Sequence, residues 1–377
     1  MKILLNAVPF GYGPVSKILT VAKKLKAGGA ELTFCGIGIA YDFMRREQVC
    51  DTVHLNLYEE DGARQLAGLS ASFDYALTAM EPLFIKPLPA RVRRGYIDSL
   101  FWMWDTGHFG EFPELFQADH YFVQNTFGAE QRSHELPIRN PVVVGGIIDI
   151  PARQPEVKRR AVVHFGGIEN IFNDSGQIRY PYRMMELLEQ ASWDTFDEVV
   201  VVCGERFAGE LRQRGYRFAD RIVSLPHDEF MRLLSDSALL ITTPGLTTLL
   251  EAYAMGIGTL FLPPQNYSQH LILNYLSGLS YPVELFNWSL FDSSFHIGPD
   301  MPEKEAVMAV QSGMEAFFDD RVQTQMFLRL LDSQICDAGI HRHIGQFQRD
   351  FIRQAGTDGA DRIAATVLGV RDEAAHY

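Results

Sequence analysis

An α/β chain with two open, parallel-sheet domains is the fold class the sequence predicts, and three observations predict it. Short apolar runs alternate with helical or loop stretches through most of the 377 residues. The alternation lapses once, over Ile148–Arg160, where two prolines, polar residues and a charge cluster read as a linker, and then resumes. Finally, Leu239–Pro264 (LLITTPGLTTLLEAYAMGIGTLFLPP) has the order strand, turn, helix, strand that makes a parallel βαβ unit.

Taken in order, the first element is a strand at Lys2–Ala7. A glycine-containing loop, Phe10–Pro14, leads into a helix over about Ser16–Ala27. Val15, Ile18, Leu19, Ala22 and Leu25 form its apolar face and the lysines its other face, and Gly28-Gly29 stops it. Further strands are expected at Glu31–Cys35, Val53–Leu57, Tyr75–Thr78, Leu100–Met103, Tyr121–Val123 and Val142–Val144. The second half starts with Ala161–Phe165, turns at Gly166-Gly167, and continues with Val199–Cys203, Arg221–Val223, Leu239–Thr242 and Thr259–Leu262. From about Glu303 the chain reads as mainly helical. The expected organisation is an N-terminal domain over 1–150, a second domain over 151–340, and a helical segment over 341–377 that packs back on the first domain.

At 47% apolar and 12% aromatic residues the chain can fill large cores. Its net charge of −13 argues against nucleic acid or an anionic membrane as partner. Lys86, Arg91, Arg93 and Arg94 beside Phe84 and Ile85 read as an acceptor loop or a basic face bordering a core strand rather than a membrane anchor. Cys35, Cys50, Cys203 and Cys336 are scattered, which suggests neither a zinc knuckle nor a disulfide frame. No apolar run approaches membrane-spanning length, and the apolar start reads as a strand rather than a signal peptide. A cytoplasmic protein with reduced thiols is the expectation.

The turn inside Leu239–Pro264 carries the chemistry. In an open parallel sheet, ligands bind beyond the carboxyl ends of the strands. Gly245 lets a ligand approach the backbone, Thr247 and Thr248 can cap a helix or donate hydroxyls to a phosphate, and the helix N-terminus favours an anion. The helix is expected to open at Thr247 or Thr248. Glu251, a turn further on, would serve a phosphate badly but suits a sugar diol. An ordinary capped helix with a solvated Glu251 would show the same residues, so chemistry leaves both readings open at this point.

Thr243–Ala252, followed by Gly256-Ile257-Gly258 and then Pro263-Pro264-Gln265-Asn266-Tyr267-Ser268-Gln269, resembles the nucleotide-binding signature of GT-B glycosyltransferases. The resemblance implies two Rossmann-like domains facing a central cleft, the first for an acceptor and the second for a nucleotide sugar. It puts Gly245 and Thr248 on phosphate-contacting positions, Glu251 on the ribose and Gln269 on the donor sugar. Thr243 stands where a His or Ser is usual, Ser268 where an Asp is usual, and Gly258 where a Pro is usual. Val162–Gly167 resembles the strand and Gly-Gly turn near the donor phosphates, which adds Gly166 and Gly167. Val223–His227 resembles the segment that reads the nucleobase, which adds His227. Bland readings of these two pieces, a tight turn and an exposed loop histidine, stay open. Over about 110 residues the ordered set carries the resemblance; the N-terminal half matches only in layout.

Such transfer needs a stabilised leaving diphosphate and, for many acceptors, a base. The class meets the first need without metal, and no Asp-x-Asp motif is present, so neither metal nor cofactor is expected. Pro14 occupies the place of the first-loop histidine found in many relatives, while Gly11 and Gly13 still allow a close loop beneath the donor. Candidate replacement bases are Asp105 and His108, in the aromatic-rich WMWDTGHFGEF, and Glu81, after the strand at Tyr75–Thr78. Each also reads as a turn or cap residue. The expected function is transfer from a nucleotide diphosphate sugar, UDP-sugar first, to a small acceptor such as a natural product or nucleoside-like metabolite. A UDP-sugar 2-epimerase or nucleotide-sugar hydrolase of the same fold, and a non-catalytic nucleotide-binding subunit, are the alternatives. A homodimer is compatible with the sequence.

Overall fold

The computed structural model describes residues 1–138, 141–152, 157–166, 179–298 and 301–370, with only the backbone for 338–341. They form two compact units. The first comprises Met1–Asp149 and the described chain from Arg353 onward, and the second the described residues between Ile150 and Ile352.

Seven strands build the sheet of the first unit: β1 (Lys2–Ala7), β2 (Glu31–Gly36), β3 (Asp51–His54), β4 (Tyr75–Ala79), β5 (Arg93–Asp98), β6 (His120–Gln124) and β7 (Val142–Val144). They are ordered β3-β2-β1-β4-β5-β6-β7, and every pair is parallel. From β1 the chain winds outward through β2 and β3, then returns to place β4 on the other side. The carboxyl ends of β1 and β4 therefore flank a topological switch point, where open α/β sheets bind ligands.

The helix Gly13–Ala27 packs on this sheet with Val15, Ile18, Leu19, Ala22 and Leu25 all buried, as the apolar spacing requires. It opens earlier than expected because Pro14 sits in its first turn, where a proline ring costs no hydrogen bond. Lys17 departs from the predicted lysine face: it is 2% exposed, with Nζ 3.4 Å from the carbonyl of Gly13. The helix Gly359–Leu368 buries Ala360, Ile363, Ala364 and Val367 in the same core.

In the second unit β8 (Lys158–His164), β9 (Glu198–Val202), β10 (Arg221–Val223), β11 (Ser237–Thr242) and β12 (Gly258–Phe261) are ordered β10-β9-β8-β11-β12, again all parallel. Here the switch point lies between β8 and β11. The helix Leu246–Met255 connects β11 to β12, which completes the βαβ unit read from the sequence.

Three boundaries differ: the strand expected at Val53–Leu57 runs instead over Asp51–His54, and the other two differ for physical reasons. Leu100–Met103 is not a strand. Buried Asp98, at the end of β5, accepts the Leu100 amide at 2.9 Å and turns the chain into the 3-10 helix Phe101–Met103, so the strand is Arg93–Asp98. Lys158–Arg160, read as the end of the linker, instead starts β8. Arg160 is buried there because Glu198 and Asp236 each approach its guanidinium to 2.5 Å.

Candidate functional site

Four segments of the second unit meet at its switch point. β8 ends in His164 and runs into Phe165 and Gly166. Gly166 adopts φ +68°, a left-handed conformation that glycine reaches at little cost. A Cβ at Gly166 would lie 3.5 Å from Thr243 Oγ1, so this turn lies against the one that follows β11. Thr243 stitches the two together: its amide donates to the His164 carbonyl at 3.2 Å and its hydroxyl to the Phe165 carbonyl at 3.1 Å. The loop after β12 closes on the same point, with Gln265 Nε2 3.5 Å from the Phe165 carbonyl.

The helix after β11 starts at Leu246, earlier than the sequence reading placed it. Gly245 is its N-cap residue, in an extended conformation, and brings no side chain of its own to cap the first turn. Thr247 is buried and Thr248 half-buried on that turn. Glu251 is only 2% exposed, not solvated. Its Oε1 accepts a hydrogen bond from His227 Nε2 at 2.8 Å, and His227 is itself 8% exposed. The helix His227–Ser235 supplies that imidazole from its first position. Gln269 is buried in the helix Tyr267–Gly278, which Asn266 caps, and its Oε1 accepts the Gln265 amide at 2.9 Å. Ser268 donates to Asn266 Oδ1 at 3.0 Å. Gly167 lies outside the described residues.

The sequence reading did not single out His164 as a site residue. It stacks on Phe230 with ring centroids 4.6 Å apart, and its Nδ1 lies 3.1 Å from Thr242 Oγ1. The Thr242 hydroxyl donates to the Thr243 carbonyl, so the ring proton sits at His164 Nδ1. Burial, and then the charge of His227, pull its pKa down to about 4. The signal available was its place at the carboxyl end of a predicted strand, two residues before Gly166.

A stability test follows from that shift. The unfolded chain takes up a proton at His164 near pH 6.5, and the folded chain refuses it until about pH 4. Acidification through that window therefore costs about 3 kcal/mol, and below it no further loss arises from this group. Urea unfolding of the wild type and of His164→Asn should give stability differences that diverge by about that amount between neutral pH and pH 4, the wild type losing more. Parallel curves would contradict it.

In the first unit the candidate bases part company. Asp105 is exposed and caps the helix Thr106–Glu111, accepting the His108 amide at 3.1 Å. His108 stacks flat on Trp104 at 4.0 Å, and burial lowers its pKa to about 4 against the opposing pull of Asp105. Glu81 is 3% exposed and lies just past β4, beside the switch point. Its Oε1 accepts the Leu83 amide at 3.2 Å, and its Oε2 accepts the hydroxyl of Tyr58, a residue that is 40% exposed. Burial raises the Glu81 pKa, while those two hydrogen bonds pull it back. The preceding residue, Met80, holds φ +63°, a strained value for a side chain of its size. Asp98 is pushed up to about 6 by burial, but Tyr121, Trp104 and Leu100 occupy both its oxygens, which ties it to structure. Gly13 opens its helix on the loop after β1, and its carbonyl accepts the Ser16 hydroxyl at 3.0 Å.

No protein-family model matches the chain, and no curated protein matches it in sequence. Solved structures do match over nearly the whole length. Arabidopsis thaliana UGT89C1 complexed with UDP is 12% identical, with 98% of each chain covered and a TM-score of 0.56. The spinosyn rhamnosyltransferase SpnG complexed with thymidine diphosphate is 14% identical, with 97% of this chain and all of that one covered and a TM-score of 0.54. A protein described as a UDP-N-acetylglucosamine 2-epimerase from Listeria monocytogenes is 13% identical, with 97% and 95% covered and a TM-score of 0.56. The chain therefore has the GT-B fold: two Rossmann-like units, each a parallel sheet flanked by helices.

Proposed function

We propose that the chain is a glycosyltransferase that moves a sugar from a nucleotide diphosphate sugar, a UDP-sugar first among them, to a small hydroxylic acceptor such as a natural product. The observation that carries this reading is the buried carboxylate of Glu251, one turn inside a helix that begins on a glycine at the β8/β11 switch point. A helix N-terminus at a strand end suits a diphosphate, and a carboxylate beyond it suits a ribose diol. In this reading Gly166, Thr243, Gly245, Thr247 and Thr248 line the diphosphate. Gln269, whose Oε1 is engaged by Gln265, turns its amide group to the sugar. Developing negative charge on the departing diphosphate meets the helix dipole and backbone donors already oriented toward it.

In the first unit, Glu81 is the base that takes the proton of the acceptor hydroxyl. Its burial, its raised pKa and its place beside the β1/β4 switch point favour it over Asp105, which is exposed, and over His108, whose depressed pKa makes it a weak base. Acceptor-free turnover of a UDP-sugar would favour the epimerase or hydrolase alternative.

The test is Glu251→Gln. Loss of a charged acceptor for the ribose hydroxyls is expected to weaken UDP binding about 10- to 100-fold, equivalent to about 1.5–3 kcal/mol. Calorimetry that returned wild-type affinity would remove the nucleotide from this site.

A further inference from the structure

We infer that His227 is a positioning residue for Glu251, through which the second unit distinguishes a ribonucleoside diphosphate from its 2′-deoxy analogue. This rests on the donor reading above and gives the His227 side chain a task separate from any contact its backbone makes with a base.

Glu251 is 2% exposed, and its only described hydrogen bond is the one at Oε1 from His227 Nε2, at 2.8 Å. The side chain has several rotatable bonds, so one fixed oxygen decides where the other points. Oε2 accepts no hydrogen bond among the described residues, which leaves it for a ligand hydroxyl. Held at Oε1, the carboxylate keeps one orientation in which to receive a ligand hydroxyl.

Two carboxylates and a second histidine surround the imidazole. Glu251 faces it from the helix Leu246–Met255, and Asp228, on its own helix, lies 3.9 Å from Nδ1. His164, facing it from β8, is kept neutral by burial and by the positive charge of His227 itself. Removing the His227 side chain would leave Glu251 without its partner and free to change rotamer, while the diphosphate-facing turn would keep its own bonds to Phe165 and His164.

The experiment compares UDP with 2′-deoxyuridine diphosphate by calorimetry on the full chain, for wild type, His227→Leu, His227→Gln and His227→Asn. The wild type is expected to prefer UDP by about tenfold. His227→Leu should lose most of that preference by weakening UDP while barely changing the deoxy analogue. His227→Gln, long enough to donate to Glu251, should restore the preference to within about threefold of wild type, and the shorter His227→Asn should not. Should His227→Leu fail to fold, the Gln and Asn variants decide the matter between them. Equal weakening of both nucleotides, or an undiminished preference in His227→Leu and His227→Asn, would overturn the inference. Failure of the wild type to bind UDP at all would instead overturn the donor reading.

Discussion

Turnover is expected to fall about 10²- to 10⁴-fold when Glu81 becomes Gln, the range over which a positioned general base acts. UDP affinity should stay within about twofold of wild type, because the residues proposed to bind the nucleotide belong to the second unit. Glutamine can keep the local structure: its carbonyl still accepts the Leu83 amide, and its NH₂ can donate to the Tyr58 hydroxyl. What it cannot do is take a proton. The pH profile of kcat supplies the second readout. A base works as the carboxylate, so activity falls as pH drops through its pKa. Burial raises that pKa, so the acidic limb of the wild-type profile should lie above the ordinary carboxylate range, and it should vanish in Glu81→Gln. Tyr58→Phe removes only one orienting hydrogen bond and should cost about tenfold. Turnover of Glu81→Gln within threefold of wild type would return the search to Asp105 and His108, or to an acceptor that needs no base.

The residues of the proposed donor site could be grouped from the sequence because most of them sit on one contiguous βαβ unit, where local spacing dictates geometry. Gly245, Thr248 and Glu251 follow one another at helical intervals, so they stay together whatever the rest of the chain does. His164 and Tyr58 were not singled out. They reach their partners across 78 and 23 residues, through strand order and loop closure that no local period encodes. Asp98 was missed for a related reason. Its carboxylate bends the chain at Leu100, and a side chain that rewrites the backbone path makes the apolar run after it look like the strand it has just ended. Buried lysine and arginine misled in the same way. Lys17 and Arg160 read as surface or linker charges until the groups that hold them are seen, Gly13 in one case, Glu198 and Asp236 in the other.

Gly359→Val is expected to lower the stability of the first unit by about 4 kcal/mol, in the range of severe core disruption. The cause is backbone contact. A Cβ at Gly359 would lie 2.2 Å from the Gly145 carbonyl oxygen and 2.9 Å from that of Gly146, and main-chain atoms cannot move aside as a flexible side chain could. The two segments are laced together there. Gly146 donates to the Gly356 carbonyl at 3.0 Å, the Gly359 amide to the Gly146 carbonyl at 3.2 Å, and the Gly145 amide to Asp358 Oδ1 at 3.2 Å. Relief of the clash requires the helix Gly359–Leu368 to lift, which withdraws Ile363, Ala364 and Val367 from the core they share with Val15, Ile18 and Leu19. Full burial of Ile363 and of Val367 contributes about 1.5–3 kcal/mol each, so their withdrawal reaches the expected loss. Hydrogen exchange should show faster opening of β1 and of the helix Gly13–Ala27, with the amides of β8 and β11 unchanged and UDP affinity retained. A variant with wild-type protection in β1 would mean that the helix contributes little to the core it covers. Matching losses in β8 and β11 would mean that the two units unfold as one.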